Sequence, residues 1–151
     1  MNTTNRDDIA FLKEALEEAK LGRSEGGVPI GSVLVRDNHI IGRGKNRRVQ
    51  DNDPVTHAEI DCLRNAGRQP KGYRNTVLYS TLMPCNLCAG AVVQFKIPRV
   101  VVGEEDSFPG AREFMEFHGV EVVNLNNAEC RRLMEEFIQE KPEIWNEDIG
   151  E

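Results

Sequence analysis

Residues 76–96 read TVLYSTLMPCNLCAGAVVQFK, a strand pattern followed directly by a helix pattern that carries two cysteines. TVLYSTL is a short, largely apolar run, which is typical of a buried strand. PCNLCAGAVVQFK predicts a helix with Pro84 at its first position, where proline is well tolerated. Cys85 and Cys88 are three residues apart, so both thiols lie on one face of the first turn. The helix dipole and the unpaired N–H groups of that turn favour thiolates.

Strands and helices alternate along most of the chain. A helix is predicted from Asp7 to about Glu25, followed by a hairpin of residues 30–36 and 39–44 around the turn dipeptide Asp37-Asn38. A polar loop then leads to a helix from near Thr56 to Gly67. The other predicted strands are residues 76–82, 99–103 and 120–125, and the other predicted helices are residues 84–96, 111–119 and 127–141. This order predicts an α/β fold, a three-layer α/β/α sandwich with a mixed five-stranded sheet.

Length and composition indicate an ordinary globular protein. The 151 residues fit a single domain spanning 1–151, with 39% apolar and 29% charged residues. The chain contains no apolar run of the roughly 20 residues that span a bilayer, and its first residues lack a signal-peptide pattern. We therefore expect a cytoplasmic protein without membrane contact. In that reducing compartment its four cysteines are expected to be metal ligands or buried thiols.

The net charge of −6 argues against a nucleic-acid partner, because binding to phosphates normally needs a basic patch. The most basic segment contains Arg43, Lys45, Arg47 and Arg48. We interpret these side chains as solvated loop charges, with a phosphate site as the alternative.

The segment THAEIDCL, residues 56–63, supplies a third candidate metal ligand, His57. Three protein ligands with a fourth position open to water form the pattern of catalytic zinc, whereas structural zinc sites use four protein ligands. Without His57, the CxxC pair is equally compatible with two ordinary helix residues or a redox dithiol. Cys62 and Cys130 stand alone in predicted helices and are interpreted as small buried side chains.

Glu59 follows His57 by two residues, which in the middle of a helix would place the two side chains on opposite sides. They converge only if His57 stands at the helix start, and Pro54 and Thr56 make a start there plausible. A carboxylate beside a zinc-bound water has the chemistry of a general acid and base. The alternative is a surface helix with an acidic first turn.

The signature His-x-Glu followed by Pro-Cys-x-x-Cys resembles that of the zinc-dependent cytidine and deoxycytidylate deaminase superfamily. Within it, the chain is most similar to fungal-type cytosine deaminases, which act on the free base. The segments that carry this closer resemblance are EGGVPIGSVLV (25–35), GRGKN (42–46), the GE stretch ending in Phe108, and the tail WNEDIGE (145–151).

The resemblance implies one zinc ion per chain, bound by His57, Cys85 and Cys88, and a proton shuttle, Glu59. It also implies a pocket for a pyrimidine base. The residues that it places around the base are Asn46, Ala58, Asp148, Phe108, Trp145, Ile30 and Met83.

The implied pocket roles are distinct. Asn46 would hydrogen-bond the ring, the backbone N–H of Ala58 would face the ring carbonyl, and Asp148 would lie near the exocyclic amine. Phe108 and Trp145 would wall the pocket. On the residues alone, the favoured interpretations are a turn asparagine and core aromatic side chains, with an acidic tail as the alternative for Asp148, and only the resemblance reverses this preference.

Two further pocket positions complete the comparison with the fungal pattern. Ile30 would contact the base from below. Met83 stands where the fungal pattern has serine, and Ala58 where it has glycine. In the fungal pattern the serine and the glycine contribute mainly backbone groups, so the same contacts are compatible with Met83 and Ala58. These two departures bear instead on the shape of the pocket and on selectivity among bases.

The expected function is hydrolytic deamination of cytosine to uracil and ammonia by a homodimer. Two alternatives remain open at this point. One is a deaminase of another small base, such as guanine, or of adenosine in tRNA. The other is a zinc-stabilised interaction module without turnover, in which Glu59 would have no role.

Overall fold

The computed structural model describes residues 6–151 and contains a five-stranded mixed sheet in the order β2-β1-β3-β4-β5. β1 is antiparallel to β2 and β3, whereas β3, β4 and β5 are parallel. The strands are β1 (Gly31–Arg36), β2 (His39–Lys45), β3 (Thr76–Leu82), β4 (Arg99–Glu104) and β5 (Glu121–Asn124). The helices are α1 (Arg6–Ser24), α2 (Arg48–Asp51), α3 (Ala58–Ala66), α4 (Asn86–Gln94), α5 (Arg112–Phe117), α6 (Ala128–Glu140) and α7 (Pro142–Asp148).

Alternation of buried side chains along the strands divides the core between the two faces of the sheet. Val100 and Val102 pack with α3, α4 and α5, while Val101 between them packs with α1 and α6. The predicted three-layer α/β/α sandwich is confirmed. No helix within residues 6–151 is both long and apolar enough to cross a membrane.

The hairpin forms at the predicted dipeptide. Asp37 and Asn38 both have positive φ, 51° and 62°, as a type I′ turn requires. The other strands and the long helices also form at the predicted positions, with ends shifted by a few residues.

Two local expectations are wrong. Pro84 is not the first helical residue of α4, because Cys85 is the N-cap and Pro84 precedes it. The segment expected to be only a polar loop contains the short helix α2. Beyond the predicted elements, the chain breaks at Lys141 and Pro142 starts a separate helix, α7.

Close packing of β2 against α3 sets the position of the predicted site. A Cβ atom on Gly44 would lie 2.2 Å from the backbone nitrogen of Cys62, so only glycine allows this approach. Asp61 on α3 also accepts a hydrogen bond from the backbone N–H of Lys45 at 3.0 Å. These contacts hold the start of α3 beside the carboxyl end of β3, from which α4 continues.

Candidate active site

Two helix N-termini meet at the carboxyl end of β3. His57 is the N-cap of α3 and Cys85 is the N-cap of α4, both with extended backbone dihedrals. Neither side chain makes a capping hydrogen bond, so both are free to face each other across the gap between the helices. Cys88, in the first turn of α4, completes the group.

The three side chains have the geometry of a zinc site. Nδ1 of His57 lies 3.4 Å from Sγ of Cys85 and 3.6 Å from Sγ of Cys88, and all three donor atoms lie within 4.8 Å of one another. Ligands at zinc bond lengths of about 2.0–2.3 Å in a tetrahedron are about 3.5 Å apart, which matches. The predicted zinc site is confirmed, with His57, Cys85 and Cys88 as its three protein ligands.

The two thiols differ in acidity because they are hydrogen-bonded to each other. The contact with Cys88 lowers the pKa of Cys85 to about 4, against the opposing effect of burial. The same contact raises the pKa of Cys88. A thiolate at the start of α4 is also favoured by the positive end of the helix dipole. The site is therefore prepared to bind a cation.

Glu59 is the second residue of α3 and its side chain is almost fully buried, with 4% exposed. Because His57 is the N-cap, the two side chains converge on one cavity, as the sequence required. Burial, together with the negative charge of Cys85, raises the pKa of Glu59 to about 7. A carboxyl group of that acidity can both accept and donate a proton near neutral pH.

A cavity of about 250 Å³ opens beside His57, Glu59 and Cys85. Two aromatic side chains close one side of it, with the ring of Phe108 edge-on to Trp145 at a centroid distance of 6.2 Å. The other residues that line this cavity are Ile30, Leu82, Met83, Asn86, Leu87, Asp148 and Ile149. Eight of the eleven residues predicted for the site therefore surround one space.

The remaining three predicted residues are buried, and the cavity lining does not include them. Cys88 belongs to the ligand group, and Ala58 is the first residue of α3. Asn46 accepts a hydrogen bond at Oδ1 from the backbone N–H of Arg48, 3.0 Å away, while its Nδ2 has no partner. The free group of Asn46 is thus a hydrogen-bond donor.

Asp148 lies at the end of α7 and its side chain is 5% exposed. Its Oδ1 is 3.3 Å from Nε2 of His57 and 3.4 Å from Nε of Arg48. Neither contact has hydrogen-bond geometry, so Oδ1 keeps an unused acceptor position. Burial raises the pKa of Asp148, although the charges of His57 and Arg48 oppose this shift.

Comparison with known families identifies the fold and the ligand set together. The model for the cytidine and deoxycytidylate deaminase zinc-binding region matches residues 5–104, which include His57, Glu59, Cys85 and Cys88. The chain belongs to this deaminase family. Phe108, Trp145 and Asp148 lie beyond the matched residues, so the family core supplies the metal site and the C-terminal third supplies these cavity walls.

Similar proteins include deaminases with different substrates. The cytosine deaminase of Candida albicans is 48% identical over 147 residues, covering 96% of this chain and 98% of that protein. A tRNA-specific adenosine deaminase of Buchnera aphidicola is 47% identical over 102 residues, covering 66% and 67% of the two chains. A solved tRNA:A34 deaminase superposes with a TM-score of 0.72 at 34% identity, covering 83% of this chain and 99% of that chain.

Sequence reasoning missed several residues of this deaminase site. Leu82, Asn86 and Leu87 line the cavity, and their place within or beside the PCNLC motif was the available signal. Ile149 follows Asp148 in the tail. Arg48 was interpreted as a solvated loop charge, which is wrong, because its side chain is only 8% exposed.

Removal of the ligands tests the metal site. We expect close to one zinc per chain in the purified protein and loss of zinc in the Cys85→Ser, Cys88→Ser double variant, because neutral hydroxyls replace the thiolate ligands. Elemental analysis measures both. Cys130→Ala is the control, since Cys130 is buried away from the ligand group and its loss should leave the zinc content unchanged. Full zinc retention in the double variant would contradict the assigned ligands.

Proposed function

We propose that this chain is a zinc-dependent cytosine deaminase, which hydrolyses cytosine to uracil and ammonia. The similarity to the cytosine deaminase of Candida albicans extends over 96% of the chain, and so includes most of the part beyond the family core. The observation that carries the proposal is the closure of a small cavity over the zinc ligands by Trp145 and Asp148 of α7. Its volume, about 250 Å³, is below the roughly 300–1,000 Å³ of pockets for drug-sized ligands.

The reaction follows from the groups that meet in this cavity. A zinc ion held by His57, Cys85 and Cys88 would supply an activated water for attack on an electrophilic ring carbon. Glu59 accepts one proton of that water and delivers it to the ring nitrogen. It then accepts the proton of the hydroxyl group that has added to the ring and delivers it to the leaving amine. The products are uracil and ammonia, and the carboxylate of Glu59 is regenerated.

Unpartnered polar groups agree with the proposed orientation of the base. Oδ1 of Asp148 has an unused acceptor position in the cavity wall, which suits the exocyclic amine of cytosine. Nδ2 of Asn46 is buried without a partner, and we assign it to an acceptor atom of the ring. Phe108 and Trp145 then enclose the planar base, with Ile30 and Met83 as apolar contacts and the backbone N–H of Ala58 facing the ring carbonyl.

The alternatives explain these features less well. In an interaction module held together by zinc, a buried glutamate beside the metal would have no role. The adenosine of a tRNA belongs to a large, negatively charged molecule, whereas this chain carries a net charge of −6 and places α7 in the wall of its cavity. Because its zinc ligands include thiolates, we expect the enzyme to work in a reducing compartment, the cytoplasm.

The Glu59→Gln substitution tests the proton shuttle, because glutamine keeps the size of the side chain and removes the base. We expect cytosine turnover to fall by roughly 10²- to 10⁴-fold, with unchanged zinc content. Steady-state ammonia release and elemental analysis measure the two effects. Glu116→Gln, on the exposed surface of α5, is the control and should behave as the wild type. Near-normal turnover in Glu59→Gln would mean that another group moves the proton.

A panel of substrates tests the assignment of the free base. We expect kcat/KM for cytosine to exceed that for cytidine by at least roughly 100-fold, because a ribose attached to the ring would clash with the closed cavity wall. Ammonia release from cytosine, cytidine, guanine and adenosine, and inosine formation in tRNA, are measured under one condition. Efficient turnover of tRNA adenosine or of cytidine would contradict the proposal and leave only a zinc deaminase of the family.

We further propose a homodimer that forms through the outer face of α4. Leu87, Ala91 and Phe95 recur every four residues and so share one side of this helix. Leu87 and Phe95 are 45% and 42% exposed. Ala91 and Phe95 border a groove of about 710 Å³, whose lining also includes Ile60, Leu63 and Tyr73. An exposed apolar surface of this kind is typical of a protein interface.

The Phe95→Glu substitution tests this interface, because a buried charge without a partner opposes association. We expect the wild type to sediment as a dimer and Phe95→Glu as a monomer at the same micromolar concentration in analytical ultracentrifugation. Leu21→Glu is a matched control, since Leu21 is 47% exposed but lies on α1, in the opposite helical layer. A monomeric wild type, or a dimer that Leu21→Glu alone disrupts, would contradict the assigned surface.

A further inference from the structure

Arg48 is the most buried of the four cations of its segment, and its charge partners lie on α7. Its side chain is 8% exposed, and its Nε donates a hydrogen bond to the backbone carbonyl of Pro54 at 3.3 Å. By contrast, the neighbouring Arg47 is 32% exposed and pairs with Asp51 one helical turn away, at 2.9 Å. A buried guanidinium needs compensating negative charge, so the partners of Arg48 indicate its role.

Those partners lie at the opposite end of the chain. Nε of Arg48 is 3.4 Å from Oδ1 of Asp148, and its Nη2 is 3.5 Å from Oε1 of Glu147. Both acidic residues belong to the last turn of α7, the helix that contributes Trp145 to the cavity wall. Arg48 therefore links the segment before α3 to the helix that closes the cavity.

The backbone of Arg48 contacts a second predicted substrate residue. Its N–H donates a hydrogen bond to Oδ1 of Asn46 at 3.0 Å, which fixes the amide of Asn46 with Nδ2 as the free group. Arg48 thus orients the side chain of Asn46 through its own backbone N–H, and it contacts the side chain of Asp148 through its guanidinium.

Asp148 would be poorly held without this cation. Its carboxylate is buried. Apart from the guanidinium of Arg48, it lies near Nε2 of His57, 3.3 Å away. The neighbouring carboxylate of Glu147, whose side chain is 72% exposed, repels the carboxylate of Asp148. Removal of the guanidinium would leave a carboxylate at the end of a seven-residue helix with little to hold it against His57.

We propose that Arg48 is a positioning residue that fastens α7 over the cavity and fixes the carboxylate of Asp148 between the guanidinium and the zinc ligand His57. This inference deepens the proposed function and rests on it for the kinetic consequence. Arg48 does not line the cavity and does not touch the base. It acts through Asp148 and Asn46.

The experiment compares Arg48→Gln with the matched control Arg47→Gln by amide hydrogen exchange. In Arg48→Gln we expect exchange in residues 142–149 to accelerate by roughly tenfold to a hundredfold, because the buried carboxylate of Asp148 loses its charge partner, while α4 keeps its protection. Arg47→Gln should leave both segments unchanged. Arg48→Lys should restore part of the protection, because it keeps the charge without the planar fork.

Kinetics supply the second readout. We expect Arg48→Gln to raise KM for cytosine more than it lowers kcat, because Glu59 and the zinc ligands remain in place while the wall that carries Asp148 loosens. Zinc content should stay near one per chain. Asp148→Asn should accelerate exchange in the same residues, and adding Arg48→Gln to it should have little further effect on either measurement.

Three results would overturn the inference. The first is unchanged exchange in residues 142–149 of Arg48→Gln. The second is acceleration that is equal in α4 and α7, and the third is failure of Arg48→Gln to fold while Asp148→Asn shows wild-type exchange. In either of these last two cases Arg48 would only stabilise the fold. Hydrogen exchange needs no substrate, so a wild-type protein that does not act on cytosine would refute the proposed function without affecting this readout.

Discussion

The convergence of α3 and α4 on one point is the constraint on which the rest of the site depends. Each helix starts with a zinc ligand as its N-cap, His57 or Cys85, so placing the two helix starts also places the donor atoms. The close approach of β2 to α3 at Gly44 fixes one start, and the continuation of β3 into α4 fixes the other. The metal then stabilises an arrangement that backbone packing has already produced.

The sequence predicts the parts of this arrangement that depend on local spacing. The three-residue interval from Cys85 to Cys88 places both thiols on one side of a helix turn. The two-residue interval from His57 to Glu59 allows the side chains to converge only if His57 is the N-cap. The structure shows both arrangements. The hairpin at Asp37-Asn38 is equally local, since its dipeptide tolerates positive φ. Pro84 shows the limit of such rules, because proline is compatible with a position either before or after the N-cap.

Contacts between distant segments could not be predicted in this way. Arg48 and Asp148 are a hundred positions apart, and nothing in the spacing of either residue indicates the other. A cation in a polar segment is usually solvated, and only the packing of α7 against that segment buries this one. The amide orientation of Asn46 is unpredictable for the same reason, because the donor that fixes it is a backbone N–H whose position depends on α2. Family resemblance located Asp148 and Asn46 but did not identify what holds them.

The family match ends at residue 104 and so separates the zinc ligands from part of the cavity wall. The matched core contains the ligands and Glu59, which carry chemistry common to cytosine and adenine rings. Phe108, Trp145 and Asp148 lie after it and line the cavity beside the ligands, where the proposed function assigns them the selection of the substrate. Helix α7 is held to the core by buried Trp145 on one side and by Arg48 on the other. Arg48, although it lies within the core, is then tied to that helix, because its buried charge is compensated only when an acidic residue such as Asp148 is present there.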